Sequence, residues 1–75
     1  SGGNEMQSLG WYVALEEVVP KDEGALFIKK HQKLELLEKT NEHWWYARIS
    51  RDGKQVTGYV PPEIIIPAEG LFSEE

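Results

Sequence analysis

The chain contains no cysteine. That single absence excludes disulfides, zinc-thiolate sites and thiol nucleophiles together, and because secreted domains of this size are usually stapled, it points to the cytoplasm. Long apolar runs are missing too: with 28% charged residues and nothing close to the about 20 apolar residues that cross a bilayer, no membrane partner is expected. Histidines number only two, His31 and His43, and neither has a second histidine or a cysteine at metal-ligand spacing. Both are read as exposed turn residues, and no metal is expected. A phosphate-cradling glycine loop, a nucleophile–base pairing and an internal repeat are likewise absent. Glu16 and Glu17 adjoin in sequence, but neighbouring strand residues face opposite sides, so they do not form an acid–base pair. A chain of 75 residues buries only about 60% of its unfolded surface and has little room for a deep catalytic pocket. Neither an enzyme nor a cofactor is expected.

Positive charge is also scarce. Eight Lys and Arg stand against thirteen Asp and Glu, a net charge of -5, so a phosphate backbone would be repelled unless the cations gathered on one face. Along the chain they are scattered among carboxylates. Nucleic acid is therefore not expected as a partner, and a basic peptide is.

What the chain does have is a dense aromatic run, Glu42-His43-Trp44-Trp45-Tyr46-Ala47-Arg48-Ile49. If it is extended, Trp45, Ala47 and Ile49 point one way and Trp44, Tyr46 and Arg48 the other. The first set suits a core. The second leaves a tryptophan and a tyrosine where water or a partner must meet them, which marks a binding surface.

Short strand signals surround this run. Residues 11–15 are aromatic and β-branched and stop at Glu16-Glu17; residues 18–25 form an irregular loop, punctuated by Pro20 and Gly24, with an acidic tip at Asp22 and Glu23. Leu26-Phe27-Ile28 is apolar, a polar turn follows, and residues 33–38 partly alternate as in a half-buried strand. Leu34 and Leu37 would suit a helix as well, but turn signals bound the segment within about eight residues, which is short for one. Thr40-Asn41-Glu42 turns the chain into the aromatic strand, Asp52-Gly53 predicts a hairpin, and residues 55–60 pair back. Pro61-Pro62 ends that strand, and residues 63–66 make one turn and a final short strand closed by Pro67. The expected fold is all-β, a small five-stranded antiparallel barrel with a short 3-10 turn. Residues 1–10 are expected as a flexible leader, 11–67 as the domain and 68–75 as an acidic flexible tail.

Val13-Ala14-Leu15, the acidic loop, Leu26-Phe27-Ile28-Lys29-Lys30, Trp44-Trp45-Tyr46-Ala47-Arg48 and Gly58-Tyr59-Val60-Pro61 together resemble the SH3 domain. Its usual pattern runs Ala-Leu-Tyr-Asp-Tyr, an acidic loop, Leu-Ser-Phe-x-Lys-Gly-Asp, Trp-Trp-x-Ala-Arg and Gly-Tyr-Ile-Pro-Ser-Asn-Tyr-Val. The likeness covers residues 11–67, with a hairpin about two residues longer than the common form. It implies a core at Ala14, Leu26, Ile28, Leu36, Ala47, Val60 and Ile65. It also implies docking of proline-rich segments, whose ridges pack between aromatic rings while a basic residue meets acids of the long loop.

Carried over by position, the resemblance implies a groove containing Trp44, Tyr59 and Pro61, with Asp22, Glu23, Glu17 and Glu63 as rim acids and Ile64 at a groove position. Four groove positions depart from the pattern: Glu16 and Val18 stand where tyrosines are usual, Glu63 where an asparagine is and Ile64 where a third tyrosine is. Ala25 replaces the acid nearest the Leu-Ser-Phe stretch, leaving Asp22 and Glu23 to serve. The implied function is a non-catalytic interaction module of a larger scaffold or signalling protein, binding a basic or proline-rich peptide through an altered acidic groove around Trp44. The alternative is a structural module with a vestigial groove that packs on a neighbouring domain of its parent chain through Ile64, Ile66, Leu71 and Phe72.

Overall fold

Asp52 (φ 54°) and Gly53 (φ 80°) both adopt left-handed backbone, the conformation that joins two strands of right-handed twist by a two-residue turn. They connect β3 (Trp45–Arg51) to β4 (Lys54–Val60), paired from Trp45 opposite Val60 to Arg51 opposite Lys54. The computed structural model describes residues 6–68 and adds β1 (Trp11–Ala14), β2 (Lys33–Glu38) and β5 (Ile65–Pro67) in one antiparallel sheet of order β4-β3-β2-β1-β5. A 3-10 turn over Pro62–Ile64 links β4 to β5, with proline at its first position, where no N–H is needed.

The rivalry between helix and strand at residues 33–38 has a structural origin. Register shifts between Leu36, opposite Ala47, and Glu38, opposite Tyr46, so β2 carries one extra residue there. This bulge lets Leu34, Leu36 and Leu37 all be buried, a spacing that strict alternation would forbid.

Of the core positions implied by the resemblance, none is more than 6% exposed. All of them except Leu36 form one cluster with Leu34, Ile49 and Ile64, and Tyr12, Val18, Trp45 and Val56 pack around it. Trp45 meets Tyr12 edge-on at 6.2 Å, with Lys39 Nζ 4.9 Å from its ring centroid. Ile64 is thus a core residue, not a groove wall: only 8% of it is exposed, and its carbonyl accepts the Leu15 N–H at 2.7 Å, tying the 3-10 turn to the end of β1.

Two features extend the strands beyond their expected limits. Pro67 lies opposite Tyr12 within β5, and Ala68 is buried and donates its N–H to the Trp11 carbonyl at 2.9 Å. Before β1, the Leu9 N–H donates to the Leu36 carbonyl at 2.8 Å and the Gly10 carbonyl accepts the Leu36 N–H at 2.9 Å. The remainder of the expected leader and tail, residues 1–5 and 69–75, lies outside the described residues.

Candidate functional site

The long loop between β1 and β2 folds down onto β4 because two glycines permit the approach. A Cβ on Gly58 would sit 2.8 Å from the Gly24 oxygen and 2.8 Å from Leu26 Cγ, closer than such contacts occur. Gly24 itself has φ 88°, a conformation natural only to glycine. The reward of that contact is a pair of 2.9 Å hydrogen bonds, Tyr59 N–H to the Gly24 carbonyl and Leu26 N–H to the Tyr59 carbonyl. They satisfy the outward N–H and C=O of Tyr59 on the edge strand β4 and place the acidic tip beside the Tyr59 ring.

Facing this loop, the turn before β3 is held by one side chain. Asn41 Oδ1 accepts the N–H groups of His43 and Trp44, both at 2.9 Å, while the Asn41 N–H donates to the Trp44 carbonyl at 3.1 Å. An asparagine that mimics a backbone turn in this way fixes where the next residue begins. Trp44 is left half-buried at the rim.

Between the two walls opens a cavity of about 230 Å³. Asp22, Glu23 and Ala25 line it from the long loop, Thr40, Asn41 and Trp44 from the turn, and Tyr59 from β4. Tyr59 is braced by Tyr46, whose ring lies 5.0 Å away at 56° and whose hydroxyl hydrogen-bonds Thr57 Oγ1 at 2.8 Å. The site therefore offers aromatic faces on one side and exposed carboxylates on the other.

Residues 11–68 match the variant SH3 domain family. The chain belongs to the SH3 domain family. It is similar to CED-2 at 28% identity and a TM-score of 0.74, over 84% of this chain and 35% of CED-2, so it spans about a third of that protein's length. The fifth SH3 domain of the human KIAA0418 protein shares the fold at 24% identity and a TM-score of 0.73, over 100% of this chain and 97% of that one. SH3 domains are in general non-catalytic interaction modules that take up peptides or proteins, commonly proline-rich.

In this SH3 domain, four of the eight site residues expected from the sequence are brought together: Asp22, Glu23, Trp44 and Tyr59 line one cavity. Pro61, half-buried where β4 ends, does not line it, nor do the exposed Glu17 and Glu63. At the departures from the family pattern, Val18 packs on the core and pairs with Ile28, Ile64 is buried, and Glu16 and Glu63 are exposed. Thr40 and Asn41 were not foreseen. The signal that could have found them is the Thr-Asn-Glu turn just ahead of the tryptophan, because asparagine in such a turn bonds the backbone it precedes. Among the described residues there is no group of three or more His, Asp or Glu placed to hold a metal ion, and no helix long and apolar enough to cross a membrane.

Proposed function

We propose that this SH3 domain recruits a basic peptide to the cavity between Trp44 and the Asp22–Glu23 tip, as a cytoplasmic interaction module within a larger scaffold or signalling protein. The observation that carries this reading is the cavity itself: a half-buried indole on one wall and two exposed carboxylates on the other suit the stem and the head of one Arg or Lys side chain. Proline-rich flanking residues dock less firmly here than in a groove with its full set of tyrosines, because Glu16, Val18 and Ile64 supply no ring and Glu63 supplies no amide. Each missing ring forfeits about 1 to 2 kcal/mol of apolar contact. Micromolar peptide binding amounts to about -8 kcal/mol in total, so selectivity falls to the basic residue rather than to the prolines.

The test is a titration of the isotope-labelled domain with a basic proline-containing peptide and with the same peptide lacking its Arg and Lys. Shifts centred on the Trp44 indole, Glu23 and Asn41 with the first and not the second support the reading. Shifts confined elsewhere, or equal binding of both peptides, overturn it.

A second reading rests on a different surface. Leu15, Val19 and Ile66 are exposed, Ile66 by 40%, and a neighbouring domain of the parent chain that covered them would make the module a brace. Leu71 and Phe72, also named for this role, lie outside the described residues, and Ile64 is in the core. Loss of parent-protein stability on Ile66→Asp, with no effect of Trp44→Lys, would favour the brace.

A further inference from the structure

The sheet ends in two edge strands, and they differ. β5 is short and carries Pro67, one of the devices by which a free edge is blunted. β4 is seven residues long and contains no proline. Its hydrogen bonding can be phased from both ends. A two-residue turn closes with its flanking residues, Arg51 and Lys54, as a hydrogen-bonded pair, and bonded and non-bonded pairs alternate along an antiparallel ladder. Gln55 and Thr57, opposite Ser50 and Arg48, therefore direct their N–H and C=O groups away from β3. Tyr59 falls in the same phase, and both its groups are taken from outside, by Gly24 and Leu26 of the long loop. The loop goes no further. Gln55 and Thr57 are exposed, and their outward groups have no backbone partner among the described residues.

This open stretch is held stiff. The Arg51 guanidinium donates to the Phe27 carbonyl and stacks 5.4 Å from the Phe27 ring, which fastens the β3–β4 hairpin to the chain entering the turn before β2. Val56 packs half-buried against the core, and the Tyr46 hydroxyl bonds Thr57 Oγ1. An ordered row of unpaired backbone groups is a template for another strand. Gln55-Val56-Thr57 is also its own complement. Laid antiparallel about a two-fold axis through Val56, Gln55 of one copy meets Thr57 of the other, and every outward N–H and C=O in the stretch gains a partner. In that register Tyr59, whose groups are already used, lies opposite Gly53 of the second copy, where β4 has ended and the hairpin turns back. Lys54 lies opposite Gly58 of the second copy, and Gly58 is the residue on which Gly24 of the acidic loop packs. The alignment thus opposes no like charges and sets a cation against the loop that carries Asp22 and Glu23.

We propose that the free edge of β4 is a self-association surface, at which a second copy of this chain adds β4 to β4 in antiparallel register centred on Val56. The length of the stretch sets the strength. So few residues a side form an interface well below about 1,200 Å² in total, the range of weak and transient contacts. The dimer is therefore populated where copies are held at high local concentration.

The experiment follows the isotope-labelled 75-residue protein over about a hundredfold range of concentration up to about 2 mM, where weak contacts become visible. The expected result is shifts of the Gln55, Val56 and Thr57 amides that grow with concentration and slowed exchange of the Gln55 and Thr57 amides. In a mixture of labelled and unlabelled protein, the Val56 α-protons of the two copies are expected in contact. Gln55→Pro removes an outward N–H without touching the β3–β4 ladder, and is expected to abolish the shifts. A second pair of variants tests the register: Gln55→Lys with Thr57→Lys, and Gln55→Glu with Thr57→Glu. Each alone sets like charges opposite one another and is expected to weaken association at least tenfold, about the cost of such a juxtaposition, whereas an equimolar mixture of the two restores it. The Trp44 and Ala47 amides report that each variant is folded. The proposal is overturned by an absence of concentration-dependent shifts, by shifts confined to another surface, by undiminished association of Gln55→Pro, or by a mixture that associates no better than its components. It is also overturned if those amides stay fixed as concentration rises yet shift on adding an extended peptide of alternating valine and threonine, which assigns the edge to a strand of a different protein.

Discussion

Arg48 Nη2 lies 2.8 Å from Glu35 Oε1, and Nε reaches the same oxygen at 3.3 Å, so a fork from β3 clasps one carboxylate oxygen on β2. The pair is directly cross-strand, Glu35 opposite Arg48, and Glu35 is the less exposed partner. The Arg48 hydrogen bonds, with help from the Ser8 hydroxyl, hold the Glu35 carboxyl below its ordinary range.

A pH dependence of stability follows from that clasp. A carboxyl whose folded-state pKa is depressed stabilises the fold above its unfolded pKa, and the contribution disappears as pH falls through the folded value. Glu35→Gln is therefore expected to lower unfolding free energy by about 1 kcal/mol at neutral pH, since Arg48 stays partly open to solvent. Urea denaturation curves of the two proteins should converge at acid pH. A constant gap across that range would show that the effect is one of packing and not of charge.

Trp44→Lys is expected to leave the fold intact while basic-peptide binding falls at least tenfold, about 1.4 kcal/mol, because the indole wall is replaced by a like charge. Calorimetric titration measures the affinity and thermal unfolding the stability. A large fall in melting temperature would mean that Trp44 is chiefly a packing residue.

Asn41→Ala removes the acceptor for two backbone N–H groups and is expected to destabilise the domain by about 1 kcal/mol. Peptide affinity should drop as well, since the turn that carries Trp44 loses its tie, and Asn41→Asp, which keeps an acceptor oxygen, should recover most of both. Amide exchange of His43 and Trp44 reads the turn directly.

Gly58→Ala introduces a methyl within 2.8 Å of the Gly24 oxygen and of Leu26 Cγ. Overpacking of this kind costs about 1 to 3 kcal/mol. Because relief requires the long loop to lift from β4, the variant is expected to lose peptide affinity beyond what its stability loss accounts for. Tyr59 amide protection is the measurement that separates the two.

Much of the fold could be read from local chemistry. Asp52-Gly53 and Pro61-Pro62 act through their own backbone preferences, so the β3–β4 hairpin and the end of β4 appear where residue types alone put them. The strand at Lys33–Glu38 was harder, because the bulge after Leu36 buries two adjacent leucines and imitates helical spacing. At the site, Trp44, Tyr59 and the loop acids were visible through the family pattern. The role of Asn41 was not, since it depends on where one side-chain oxygen points. The tie between the β3–β4 hairpin and the turn before β2 was invisible for another reason: it is made by the contact between Phe27 and Arg51, 24 residues apart.

The pairing of β1 with β5 also decides how the domain answers to force. Trp11 at the start of β1 adjoins Ala68 just after β5, so chain entering at Gly10 and chain leaving at Ala68 do so side by side. Tension applied across those two points would not shear the strands against each other; it would peel β5 from β1 one hydrogen bond at a time, beginning at Ala68. Such a seam yields at low load, and it would open at the end that contributes nothing to the Trp44 cavity.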